Sequence, residues 1–120
     1  MAQNIPPALE AEIQKYDNLR RKHESDSVML QAINTDLLDA KATLEELKKQ
    51  PDDAVTYKAV GQVMFKVGKP ALVSELDDKQ RTLELRKKKV EKSIEELSQE
   101  LTELQSKIQL ELSKRNLRLQ

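Results

Sequence analysis

No cysteine occurs in the 120 residues, so disulfides and thiolate chemistry are closed to this chain, a usage consistent with a reducing compartment. Tryptophan is also absent, and one Phe with two Tyr leaves little bulk for a compact core. Whatever is buried must therefore be buried along seams. A single His and the lack of any Cys exclude the usual catalytic triads and zinc clusters, so neither enzymatic chemistry nor a metal or other cofactor is expected. With only two glycines there is no Gly-rich phosphate loop; in "GQVMFKVGKP" the spacing is too long for one, and Pro70 stands where Ser or Thr would bind magnesium. Neither sign of charge is in surplus, since 21 acidic residues balance 21 basic ones, which argues against a footprint for nucleic acid or anionic membrane. No apolar run approaches the roughly 20 residues needed to span a bilayer. The start, "MAQNIPPALEAE", lacks the basic and apolar regions of a signal peptide, so a soluble, cytoplasmic protein is expected.

What is present is a seven-residue repeat. In the first half one line of positions, a, carries Leu9, Tyr16, His23, Leu30, Leu37 and Leu44, and three residues on, d carries Glu12, Leu19, Asp26, Ile33, Ala40 and Leu47. In the second half a carries Val73, Gln80, Lys87, Ile94, Leu101 and Ile108, and d carries Leu76, Leu83, Val90, Leu97 and Leu104. So sustained a repeat marks a helix that packs one stripe against another helix. Prolines place the ends: Pro6 and Pro7 suit a first turn, "QPDD" stops the first helix, and Pro70 suits the opening turn of the second. If the chain reverses about residue 60, facing residues have numbers that add to 120, and every first-half a meets a second-half d. An antiparallel pair of helices, each about 60 Å long, satisfies both stripes at once. The polar seam residues His23, Asp26, Gln80 and Lys87 either loosen the seam locally or fix its register, and His23 reads as an ordinary half-solvated residue rather than a proton switch.

Between the helices lie two runs dense in strand formers, "VTYKAV" and "VMFKV", separated by Gly61 and Gln62. Gly first in a two-residue connection fits a β-hairpin turn. Tyr57 pairs with Lys66 if the loop is tight or with Val67 if it is longer, and sequence leaves both open. A lone two-stranded hairpin is marginal in water and has two unpaired edges. A plain helical reversal needs only ~2 to 8 polar residues. Here about twenty are used, with most of the aromatic content, so the expectation is that other chains cover this hairpin and that Val55, Tyr57, Val60, Val63, Phe65 and Val67 are the oligomerisation residues. The fold class is thus mainly α: a long antiparallel two-helix coiled coil with one β-hairpin inserted at the connection. Its parts are a first coiled-coil arm over 8–50, the hairpin over 54–69 and a second arm over 70–116.

Two coiled-coil arms joined by one hairpin, with "TYKAVGQVMFKVGKPALVSEL" at the junction, resemble a β-type subunit of prefoldin over nearly the whole chain. Within that family the placement of Tyr57, Gly61, Met64 and Phe65 and the "QPDD" approach are most similar to the eukaryotic subunit 1 branch. The resemblance implies a single β-type domain over 1–120 and a hetero-hexamer of two α-type and four β-type chains, with hairpins joined in a double β-barrel platform. It also implies an ATP-independent co-chaperone that captures unfolded proteins, actin and tubulin among them, and delivers them to the cytosolic group II chaperonin.

The free ends of the arms are where client binding is expected. Ile5, Ile13, Leu110, Leu112, Leu117 and Leu119 sit off the seam or beyond it, and with Leu9 they are the candidate client-binding residues. A bland reading, that these residues close or fray the coil end, stands beside it. The basic clusters "RRKH" and "RKKK" read as solvated coil surface. The competing reading of the whole chain is a structural or tethering coiled-coil protein without chaperone activity, which shares the arms but gives no reason for the hairpin. An RNA-gripping arm is disfavoured by the balanced charge and scarce aromatics.

Overall fold

A computed structural model describes residues 5–115. The order is α1 (Pro7–Lys48), β1 (Val55–Val60), β2 (Val63–Gly68) and α2 (Lys69–Lys114). None of the described helices is long and apolar enough to cross a membrane. The chain divides into two compact units, one built from the described residues up to Met29 and from Val90 onward, the other from Leu30–Lys89.

In the terminal unit the seam is apolar at its end and polar further in. Leu9, Ile108 and Leu112 form a buried cluster, against which Ile5, Ile13, Tyr16 and Leu104 pack. Then the Lys107 ammonium reaches the Glu12 carboxylate at 3.2 Å. The next two polar seam residues of α1, His23 at a and Asp26 at d, are met by serines of α2. Ser93 donates to Asp26 Oδ2 at 2.7 Å, and His23 Nε2 lies 3.0 Å from Ser98 Oγ. These cross-helix bonds, from 12 with 107 through 26 with 93, run antiparallel near the facing rule expected from the repeat. They also show that polar seam positions can be satisfied instead of merely tolerated.

In the hairpin unit Ile33, Leu37, Ala40 and Leu44 of α1 and Leu83 of α2 are buried. All five are seam positions, and burial of such side chains stabilises by ~1.5 to 3 kcal/mol for each large one. An ion pair between Lys41 and Glu84, 3.4 Å long, bridges the two helices beside them. At the end of α1 the helix tightens, with Lys49 N–H donating to Glu46 O and Gln50 N–H to Leu47 O, and a turn closed by Ala54 N–H on Pro51 O leads to β1.

Lys69, the first residue of α2, ties this exit together. Its Nζ donates to Lys48 O at 3.3 Å, to Gln50 O at 2.7 Å and to Asp52 Oδ1 at 3.1 Å. The side chain is only 11% exposed, so the ammonium has exchanged water for carbonyls at the negative end of α1. Lys69→Met is therefore expected to lower stability by about 1–2 kcal/mol, read by denaturant unfolding, with Lys69→Arg recovering part of the loss. An unchanged midpoint for Lys69→Met would show the clasp to be incidental.

β1 and β2 pair antiparallel with Tyr57 opposite Lys66 and Val60 opposite Val63, which settles the register in favour of the tight loop. Gly61 takes φ +60° at the first turn position, where no atom lies within 4 Å of an added Cβ. Space is available and backbone conformation is the obstacle, so Gly61→Ala is expected to cost roughly 1 kcal/mol through strain alone. Gly61→Asn, which tolerates this region better, is expected to cost less in the same thermal melt.

Candidate assembly surface

The pairing register sorts the hairpin side chains by face. Thr56, Lys58 and Val60 share one face with Val67, Phe65 and Val63, and Val55, Tyr57 and Ala59 share the other with Gly68, Lys66 and Met64. Only the base of the first face is covered. Thr56 donates its hydroxyl to Val67 O, and Lys58 pairs with Glu75 of α2. Beyond that base both faces are open: Tyr57 is 56% exposed, Phe65 51% and Met64 62%. Val55, Val60 and Val63 are likewise exposed, while Val67 is half-buried. A two-stranded ribbon with large apolar side chains on both faces cannot hide them by folding onto one helix pair. It exposes on each face what a larger sheet would bury, and among the described residues each strand has one edge without a β partner.

The structure therefore places five of the six hairpin residues expected to drive assembly on open surface and the sixth, Val67, at the covered base. Met64 belongs with them, being as exposed as any of the five. Sequence did not single it out, because its place opposite Ala59 on the face of Tyr57 depends on a register that sequence leaves open.

The tip is different. Ile5, Ile13 and Leu112 were expected to lie off the seam or beyond it, with closure of the coil end as the alternative. Leu112 is buried with Leu9 and Ile108, and Ile5 and Ile13 pack on that cluster, so these three close the coil end. The reason lies in the acidic residues at the neighbouring d positions. Where Glu12 and Glu111 occupy d, the next residue along, Ile13 or Leu112, takes the apolar place. Leu110 is exposed as expected, at 55%, and Leu117 and Leu119 lie outside the described residues. Val28 with its neighbour Met29, Leu38 and Leu85 are also exposed apolar residues on the helices, at positions to which the repeat assigns no role.

A helix pair closed on itself, carrying a hairpin left uncovered on both faces, defines a subunit of an assembly and not a self-sufficient globular domain. The comparisons with known proteins give that class its family. A family profile described as "Prefoldin subunit" matches residues 10–115. The chain is similar to prefoldin subunit beta of Thermococcus gammatolerans, with 37% identity over 92% of this chain and 94% of that protein. It is similar at 36% to the Pyrococcus horikoshii protein of the same name over 92% and 94%, and at 33% to that of Sulfolobus acidocaldarius over 95% and 91%. The crystal structure of the prefoldin beta subunit from Thermococcus strain KS-1 matches with a TM-score of 0.81 at 35% identity, covering 92% of this chain and 97% of that one. The chain belongs to the prefoldin subunit family. Prefoldin subunits are chaperone components that assemble with one another, which accords with a non-enzymatic role. These relatives carry the β-subunit name; the narrower likeness to eukaryotic subunit 1 rests on the junction residues alone.

Proposed function

We propose that this chain is a β-type subunit of a prefoldin hetero-hexamer of two α-type and four β-type chains, acting in the cytoplasm as an ATP-independent co-chaperone. The observation that carries the reading is the hairpin: Val55, Tyr57, Val60, Val63, Met64 and Phe65 are exposed on two faces in a chain of this family. Neighbouring hairpins bury them and complete the ladder, at ~25 cal/mol per Å² of apolar surface removed from water. The hexamer then holds unfolded chains, actin and tubulin among them if the protein is eukaryotic, and passes them to the group II chaperonin.

Client contact is assigned to the free ends of the arms. Leu110 is exposed there, and the side chains of Ile5, Leu9, Ile13 and Leu112 become available when the terminal seam opens. Leu117 and Leu119 complete the candidate set. Weak contacts of this kind become useful when several arms bind one client together. The test is native mass spectrometry of this chain with α-type prefoldin subunits, followed by suppression of aggregation of a denatured client without nucleotide. A mixed hexamer that suppresses aggregation is the expected result. A stable homodimer indifferent to α-type subunits would favour a tethering coiled coil and overturn the proposal.

A further inference from the structure

Both basic clusters read from sequence as solvated coil surface, and their ion pairs set them apart. In "RRKH", Arg20 meets Asp17 at 3.2 Å and Glu24 at 3.6 Å, and Arg21 meets Asp17 at 3.1 Å. In "RKKK", none of Arg86, Lys87, Lys88 and Lys89 has an ion-pair partner among the described residues. The cause is local. Glu84, one helical turn before Lys88, is held by Lys41 of α1 at 3.4 Å, and Glu91 is offset by its neighbour Lys92. Residues 31–34 of α1, which the facing rule sets opposite 86–89, carry no charge. A chain without net charge thus keeps one uncompensated positive patch in its hairpin unit.

That patch adjoins a shallow recess of about 410 Å³ along α2, lined by Asp77, Gln80, Arg81, Glu84, Leu85 and Lys88. The lining residues fall into two rows spaced by four, Asp77 with Arg81 and Leu85, and Gln80 with Glu84 and Lys88. Lys89 continues the first row, and Leu85 stands among the cations 62% exposed. We propose that this face of α2 docks an acidic amphipathic helix of another protein, which sets an apolar side chain on Leu85 and carboxylates against Lys88 and Lys89. The proposal goes beyond the assembly reading and does not depend on it, since these residues belong neither to the hairpin nor to the free ends. Rows spaced by four are the ridges between which a second helix packs. The mixture of charges chooses protein over nucleic acid: Asp77 and Glu84 in the same recess repel a phosphate backbone, and an exposed leucine offers it nothing. Asp77 at the far end also gives the docked helix a direction, with its carboxylates at the Lys88 end. One helix face buries little area, so the association is weak, fast and sensitive to salt.

The probe is a synthetic helical peptide with leucines on one face and glutamates beside them, fluorescently labelled and titrated by anisotropy with the full chain, alone and in mixed assembly. Carbodiimide crosslinking and peptide mass spectrometry then map where its glutamates lie. Saturable binding is expected, with amide crosslinks to Lys88 or Lys89, weakening severalfold between ~50 and ~300 mM salt. Lys88→Ala with Lys89→Ala is expected to weaken it about tenfold, and Leu85→Ser by a similar factor. Arg20→Ala with Arg21→Ala removes the same charge from the paired cluster and should leave binding within about twofold. Absence of saturable binding, or equal loss in the two double variants, overturns the proposal, as do crosslinks that map only to the hairpin or the free ends. Equal binding of a proline-broken peptide would make the occupant an unfolded segment, and tighter binding of RNA at the same lysines would make it a polyanion. Self-association of the chain that the Lys88 and Lys89 substitutions abolish would make it a second copy. Each of these three results also overturns the assignment to an acidic helix.

Discussion

A chain carrying Phe65→Asp is expected to stay as helical as the parent and to lose its place in the mixed assembly. The reasoning separates what the side chain does alone from what it does in company. Alone, Phe65 is half exposed in the middle of a two-stranded ribbon, opposite Lys58, and the helical seams are made by other residues, so the substitution removes little that holds the single chain together. In a completed sheet the same position is covered. Phe→Asp then forfeits about 1.5–3 kcal/mol of apolar burial and adds the cost of desolvating a carboxylate without a built partner. The sum is a loss of co-assembly affinity on the order of a hundredfold or more. Phe65→Leu keeps most of the apolar surface and is expected to assemble within a few fold of the parent. Leu38→Asp, on an exposed outer face of α1, is the matched control and is expected to leave assembly unchanged. Analytical ultracentrifugation with α-type subunits reads all three. If the Phe65 and Leu38 variants assemble equally well, the hairpin is not the assembly surface.

The contrast between hairpin and tip also marks where sequence was informative. Helix pairing was legible because the repeat runs through both halves in a register that one reversal satisfies, and the bonds from Asp26 to Ser93 and from His23 to Ser98 fall within one residue of it. Strand existence was legible from β-branched density around Gly61. The pairing of Tyr57 with Lys66 was not, because both candidate registers leave apolar residues on both faces, so the hydrophobic pattern does not choose. Turn geometry decides instead. The off-seam placement of Ile13 and Leu112 failed for a different reason, and the alternative that they close the coil end matches their packing. A strict seven-residue repeat assigns one core position per turn, whereas an α-helix of 3.6 residues per turn drifts against it by about 20° per heptad. With glutamate at the formal d positions, drift and polarity together bring Ile13 and Leu112 inward.

That closed tip has a mechanical consequence, and Leu112→Ala exposes it. Leu112 is 6% exposed, in a cluster with two other buried members among the described residues, and the half-buried side chains packed on it fill only part of the void its truncation leaves. Truncation of a buried leucine costs about 2–4 kcal/mol under such conditions. Because the cluster sits at the ends of two helices, the cost falls on the terminal unit and leaves the seam around Leu37 and Leu83 untouched. Amide exchange over residues 7–16 and 104–112 is expected to quicken by about thirtyfold or more, while exchange over residues 33–44 and assembly itself stay as they were. Glu12→Leu moves the same equilibrium the other way. Its Oε2 is buried without a hydrogen-bond partner among the described residues, and a leucine at that d position adds apolar contact where a half-satisfied carboxylate now sits. If client capture uses the inner face of the tip, the Glu12 variant should suppress client aggregation less well than the parent, and the Leu112 variant at least as well, at equal assembly. Capture that ignores both substitutions would place the client elsewhere. Capture that weakens in proportion to lost tip stability would mean that the closed seam, and not its opening, presents the binding surface.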